Sequence, residues 1–420
     1  MKEIKLKYQK YPEYRDSGVE WLGEIPEGWE ELANKYIFNL KKNQVGKNSF
    51  NYTLLSLTLN GIIKRDMENP QGKFPAEFDT YQVVKKGDFV FCLFDVEETP
   101  RCVGLSNFEG MITGAYTVMQ PNNNFDKRYL YYFYLNLDTN KRMKPLYTGL
   151  RNTISKDNFF SFKTFYPSLP EQTAIANFLD DKTAKIDRAV AQKEKLIALL
   201  KQRKQISIQN AVTKGLNPNV KLKDSGVEWI GDIPEHWEVK RLKYVLKIIS
   251  EKIISKSSDL TYIGMENIES KTGKWLNRQT ESEGLANKFQ IGDILFGKLR
   301  PYLAKVHLAE FNGICSTEFI VYRSENPRYF KLLLISNYFI DFVNSSTYGA
   351  KMPRANSEWI GNQFIPLPPL PEQKQIVEYI ETQSAKIDKA ISLQQKQIEK
   401  LKEYKTVLID NAVTGKIKVS

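Results

Sequence analysis

Two stretches of the chain carry the same rhythm of apolar positions. Ile186, Val190, Lys193, Ile197, Leu200 and Lys204 step alternately by four and three, and so do Ile387, Ile391, Gln394, Ile398, Leu401, Lys405 and Leu408. That spacing lays one stripe along a helix and predicts a coiled-coil seam, interrupted by polar residues at Lys193, Gln394 and Lys405. Pro170 and Pro371 suit a first helical turn, where a missing N–H is harmless, and Glu171 and Glu372 suit the positive end of the helix. Gly215 and Gly415 stand where a C-terminal glycine belongs. Each helix is expected to run about 40 residues, or roughly 60 Å. Matched seams at matched places predict that the two helices pair with each other; two unrelated amphipathic surface helices are the alternative.

Between these stretches the patterning is mixed. Short β-rich runs, such as 88–94 and 313–322, are separated by turn residues, and helical stretches at 129–137 and 329–343 follow them. Each such region reads as an α+β domain with a twisted, partly closed sheet.

The chain also repeats itself. DSGVEWLGEIPEGWE, starting at Asp16, and DSGVEWIGDIPEHWE, starting at Asp224, agree at twelve of fifteen positions with an offset of 208. Leu169-Pro170-Glu171-Gln172 recurs at Leu370, Ala184-Lys185-Ile186-Asp187 at Ala385 and Asn210-Ala211-Val212-Thr213 at Asn411, all offset by 201. The frame is kept and the interiors diverge, as expected of two modules that recognise two different things. The expected organisation is a first domain over 1–168, a helix over 169–217, a second domain over 218–369 and a second helix over 370–420. The duplicated tryptophans Trp21, Trp29, Trp229 and Trp237 read as core anchors rather than base-stacking platforms, because readers of different targets should differ.

Composition narrows the class. The 420 residues are 41% hydrophobic and 26% charged, which excludes a wholly disordered chain or a collagen-like fibre. No run of eighteen apolar residues suggests a membrane span, and the N-terminal segment lacks an apolar signal core, so a cytoplasmic protein is expected. Three cysteines and two histidines make neither a disulfide framework nor a zinc site. The net charge of +12 suits a polyanionic partner such as nucleic acid and is spread along the chain without a basic tail.

Cofactor chemistry is missing from the motifs. No two glycines are separated by a single residue, so GxGxxG is absent, and none of the five Gly-Lys pairs is followed by Ser or Thr, so no Walker A loop exists. The Asn-Pro-Pro-aromatic motif of amino-methyltransferases is absent; the nearest strings are Asn69-Pro70-Gln71 and Asn326-Pro327-Arg328. Glu372-Gln373-Lys374 and Glu403-Tyr404-Lys405 have a nuclease-like spacing, but on helices they read as solvated charge. His307, between Val306 and Leu308, reads as a strand residue, and nothing resembles a catalytic triad.

The SGVEW-G-IPE-W segment, the LPEQ helix start, the AKID step and the NAVT end, each present twice, resemble the specificity subunit of type I restriction-modification systems. The resemblance covers essentially the whole chain. It implies two similar target-recognition domains separated by two long helices that form an antiparallel coiled coil, an internal pseudo-twofold repeat. It further implies that each domain reads one half of a bipartite sequence in double-stranded DNA. The helices are then expected to space the domains and dock two methyltransferase subunits. The chain itself is expected to be non-catalytic and to hold no cofactor. Methyltransferase partners supply adenine methylation with S-adenosylmethionine, and restriction subunits cut unmethylated DNA with ATP and Mg. The polar seam positions depart from a tight coil.

A DNA reader needs Lys or Arg for phosphates and Arg, Lys, Asn or Gln for base edges. In the first copy these are Lys141, Arg142 and Lys144, then Arg151 and Asn152 after Gly149; in the second, Lys298 and Arg300, then Lys351, Arg354 and Asn356 after Gly349. The seam is expected at Ile186, Val190, Ile197, Leu200, Ile387, Ile391, Ile398 and Leu401. Two rival readings stand beside this one: a coiled-coil adaptor with two protein-binding domains and no nucleic acid, and a fused restriction-methylation enzyme, against which the missing cofactor motifs count.

Overall fold

The computed structural model describes residues 8–67, 77–278, 280, 282–347 and 351–419. It divides into two compact units, residues 1–193 with 396–420 and residues 194–395.

In the first unit a four-stranded antiparallel sheet runs in the order Phe38–Leu40, Thr117–Pro121, Phe89–Phe91, Val103–Leu105. In the second unit the order Lys247–Ile249, Phe319–Arg323, Ile294–Gly297, Val306–Leu308 repeats it strand for strand. A second sheet differs between the copies. In the second unit it has four strands, including Leu285–Phe289 and Gly313–Ser316; in the first it is two pairs, Leu55–Thr58 with Gly61–Lys64 and Gln82–Val84 with Gly110–Ile112, joined by a parallel bridge between Leu54 and Met111. The apolar run 313–322 is thus two strands of two sheets, broken at Thr317-Glu318.

Helix α1, Lys127–Thr139, begins where the Asp126 side chain accepts hydrogen bonds from the Arg128 and Tyr129 amides. Helix α2, Lys156–Ser161, is capped in the same way by Ser155. Helix α3 spans Leu169–Lys214. The helical stretch expected at 329–343 is two helices, α4 over Pro327–Leu334 and α5 over Asn337–Ser345. Ser336 leaves the helical conformation between them and turns its hydroxyl onto the Leu333 carbonyl, 2.7 Å away, an alternative to the helical ladder that serine readily offers. Helix α6 is Ser357–Asn362 and α7 is Leu370–Val413.

Each unit buries its sheet against the start of one long helix and the end of the other. In the first, Phe89, Phe91, Tyr134 and Phe159 pack in one core with Ile175 and Leu179 of α3 and Leu408 and Val413 of α7. In the second, Phe296, Tyr322, Tyr329 and Leu333 share a core with Ile376 and Ile380 of α7 and Ile208 and Val212 of α3.

The repeated motifs make these junctions. Gln172 donates to the Pro167 carbonyl and accepts from the Asp126 amide, so a buried amide ties the start of α3 to the start of α1. Gln373 likewise donates to the Pro368 carbonyl, and accepts from the Asn326 side-chain amide. Gly415 (φ +73°) ends α7, and a Cβ there would lie 2.3 Å from Pro26 Cδ; Gly215 (φ +75°) ends α3 against Trp237. Trp29 and Trp237 are buried, Trp21 lies under the Arg142 guanidinium, and Trp229 packs on Phe339 and Phe342.

Within each unit the long helices pair antiparallel. In the first unit Lys405 donates to Asp187 and Lys193 to Gln397, so partner numbers fall along α7 as they rise along α3. In the second unit Lys204 donates to Asp388 at 2.8 Å. Asp187 and Asp388 are the two AKID aspartates, so the same ion pair occurs twice with the helices' roles exchanged. Lys193 and Lys405, two of the polar residues that interrupt the apolar seam, therefore bond the helices together rather than leaving gaps in the packing. Ile186, Ile391 and Ile398 are buried, and Val190, Ile197, Leu200, Ile387 and Leu401 are half-buried.

Candidate nucleic-acid interface

Past Phe89–Phe91 the chain leaves the first sheet and turns at Asp95, whose backbone is left-handed (φ +47°). The Asp95 amide donates to the Arg151 carbonyl at 2.9 Å, Val96 to Asn152 at 3.3 Å, and Ile154 back to Leu93 at 2.8 Å. These bonds clasp the loop to a short hairpin, Tyr147–Thr148 with Thr153–Ile154. Arg151 is the hairpin's main charged group. It is 71% exposed, grips both carboxylate oxygens of Asp95 and lies beside the Phe94 ring. Its guanidinium holds the Asp95 carboxyl below the usual carboxylate range. Asn152 donates to Glu98, and Lys144 pairs with Glu97.

Lys141 and Arg142 face elsewhere. Lys141 Nζ donates to the Val96 and Thr99 carbonyls and braces the same loop from behind. Arg142 pairs with Asp410 of α7 while lying over Trp21. Both side chains are committed to the protein's own groups.

The second unit builds the same clasp with other side chains. After Ile294–Gly297 the chain turns at Arg300 (φ +51°). The Arg300 amide donates to the Pro353 carbonyl at 2.7 Å and the Ala355 amide to Lys298 at 2.9 Å. Arg354 lies against both oxygens of Glu318, and the Arg300 Nη2 reaches the Lys351 carbonyl. Lys351 is exposed and Lys298 is half-buried. Tyr348, Gly349 and Ala350 lie outside the described residues.

The clasp bonds align Leu93 with Lys298, Asp95 with Arg300 and Ile154 with Ala355. Asn152 and Asn356, matched on sequence, are therefore not equivalent. Asn356 takes the place of Ser155, and its side chain caps α6 by accepting from the Glu358 and Trp359 amides. Asp95, Glu97, Glu98 and Glu318 escaped the sequence reading because a search for DNA contacts looks for cations, and these carboxylates orient them. The signal was an acid directly behind one apolar strand where the other copy has a base.

Glu372 and Lys405, read from sequence as solvated charge, both have partners: Glu372 accepts from His236 and the Trp237 indole, and Lys405 pairs with Asp187. His307 is buried in a strand with Nδ1 2.9 Å from the Gly273 carbonyl, and burial lowers its pKa. Among the described residues no group of three or more His, Cys, Asp or Glu could hold a metal ion. No helix among them is long and apolar enough to cross a membrane.

The family model for the type I restriction modification DNA specificity domain matches residues 103–198 and 234–403, well over half of the chain. The chain belongs to this family. Members are the DNA-recognition subunits of type I enzymes and are not themselves catalytic, in keeping with the motifs missing here. Among specificity-subunit relatives, that of the type I enzyme EcoDI from Escherichia coli is 29% identical over 249 residues, 54% of this chain and 56% of that one. The MjaVIII subunit from Methanocaldococcus jannaschii is 27% identical over 319 residues, 71% and 72% of the two chains. The putative MjaX subunit from the same organism is 25% identical over 99% of both. The chain thus spans little more than half of the EcoDI subunit and nearly all of the MjaX one. Two solved structures share the fold at 14% identity. One is a chain of a type I R-M system (TM-score 0.62, 93% of this chain and 98% of that one), the other the HsdS subunit from Thermoanaerobacter tengcongensis (TM-score 0.52, 94% and 98%).

Proposed function

We propose that each α+β domain reads one half of a bipartite double-stranded DNA target. The paired helices dock two methyltransferase subunits and set the length of the unread spacer. Restriction subunits complete the enzyme in the cytoplasm. S-adenosylmethionine, ATP and Mg belong to those partners and not to this chain. The observation that carries the reading is the duplicated clasp, one backbone frame presented twice with different polar side chains. We assign DNA contact to Lys144, Arg151 and Asn152 in the first clasp and to Lys298, Arg300, Lys351 and Arg354 in the second. Lys141 braces the first loop, Asn356 caps the helix that follows the second, and Arg142 ties the first domain to α7.

The test is a methylome map of DNA modified by the assembled enzyme. Replacing residues 1–168 by the corresponding domain of another specificity subunit should change one half of the methylated sequence and leave the other. If both halves change together, the domains do not read independently. An adaptor without nucleic-acid function predicts no salt-dependent DNA retention at all, because counterion release is what makes phosphate binding fall with salt.

A further inference from the structure

Strain and unpaired charge converge on one position of the second clasp. Among the described residues, six non-glycine residues have a left-handed backbone: Asp95, Lys141, Asn152, Lys271, Arg300 and Ala304. Three belong to the first clasp or brace it. Arg300 and Ala304 flank the short turn Pro301–Leu303, and Lys271 donates its amide to Leu303. Such conformations persist only where the surroundings impose them, and they gather at ligand clamps.

The clasps differ in charge. In the first, Asp95 answers Arg151, Glu97 answers Lys144 and Glu98 accepts from Asn152. In the second, Arg354 holds Glu318, and among the described residues Lys298, Arg300 and Lys351 make no ion pair. The Arg300 Nε lacks a hydrogen-bond partner but is shut off from solvent, so the donors left for an external anion are those of the two Nη groups, of which Nη2 also reaches the Lys351 carbonyl. A guanidinium without a counter-ion, held in a strained turn, is prepared for an anion, and a phosphate can take N–H groups of both Nη atoms at once.

Building on the DNA-reading function proposed above, we infer that Arg300 is a phosphate anchor and that the second domain carries the larger share of salt-dependent attraction. The first clasp, balanced in charge, contributes discrimination between sequences with little net attraction.

The full chain, assembled with its methyltransferase partners, is titrated with its target duplex over a series of salt concentrations. Arg300→Gly suits the left-handed backbone, so the fold should survive, which a thermal melt checks. It should weaken binding about ten-fold and reduce the log–log salt slope by about 0.9, the value for one phosphate, equally across single base-pair variants of the target. Arg300→Lys should keep most of the slope. The double variant Asp95→Asn/Arg151→Gln, which leaves net charge unchanged, should leave the slope unchanged and lose discrimination at one base pair. Unchanged binding by Arg300→Gly, a loss confined to one base pair, or an equal slope change in the double variant overturns the inference. A wild-type complex that retains no DNA overturns the underlying function instead, so the two failures are distinct.

Discussion

Asp410 accepts hydrogen bonds from Asn136 and Arg142 and pairs with Lys416 at 3.3 Å, joining the end of α7 to the first domain. Burial raises the pKa of its carboxyl, but Arg142 and Lys416 outweigh this and the net shift is downward. A carboxylate depressed in the folded state contributes stability above its unfolded pKa, near 4, and loses it as pH falls through the lower folded value. Asp410→Asn should therefore destabilise the chain by about 2 kcal/mol at pH 7, with the difference shrinking below about pH 4. Denaturant unfolding of both proteins at pH 7 and at pH 3.5 measures this; a pH-independent difference would refute the assignment. The glycines that end the long helices give a second contrast. Gly415 meets Pro26 at 2.3 Å, whereas Gly215 meets the edge of Trp237 at 3.2 Å. Alanine at either position takes on a left-handed backbone worth about 1 kcal/mol. Gly415→Ala adds a clash with a proline ring that cannot swing aside, so its melting temperature should fall further than that of Gly215→Ala.

Between elements, the repeated ion pair tests the helix register. Asp187 with Lys405 and Asp388 with Lys204 are half-exposed pairs, each worth no more than about 1 kcal/mol. Their value lies in discrimination between registers, since a slip of the helices separates each carboxylate from its ammonium. Asp187→Lys alone should lower the melting temperature by a few degrees, and adding Lys405→Asp should recover most of it. Absence of recovery would show that these side chains do not meet in solution. The sequence showed the seam but not its partners. Periodicity identifies the stripe on each helix, while the residue opposite Lys405 depends on an axial offset that only packing sets.

For the whole molecule, the proposed spacer function makes the paired helices a ruler. A heptad inserted after Leu200 keeps the seam and adds about 10 Å, or roughly three base pairs. The antiparallel bonds Lys204–Asp388 and Lys193–Gln397 require a matching heptad in α7 between Asp388 and Gln397. The double insertion should keep both half-sites and lengthen the methylome-mapped spacer by up to about three base pairs. A functional variant with its original spacer would show that something other than the helices measures the distance.

The amino-acid sequence by itself determined the duplication, the two long helices, the pairing of α+β domains with helices and the absence of cofactor motifs. Repeats and helical periodicity are local or self-comparing signals, and a string of residues contains them in full. Only the tertiary structure decided the clasps. That Asp95 and Arg300 hold one position, and that Asn356 is a helix cap rather than the counterpart of Asn152, depend on backbone bonds between segments more than fifty residues apart, and that Arg142 turns inward to Asp410 depends on a side-chain ion pair between residues still further apart. Long-range bonds of that kind leave no periodic trace, and a cation gives no sign in the sequence of whether a carboxylate of its own chain will reach it first.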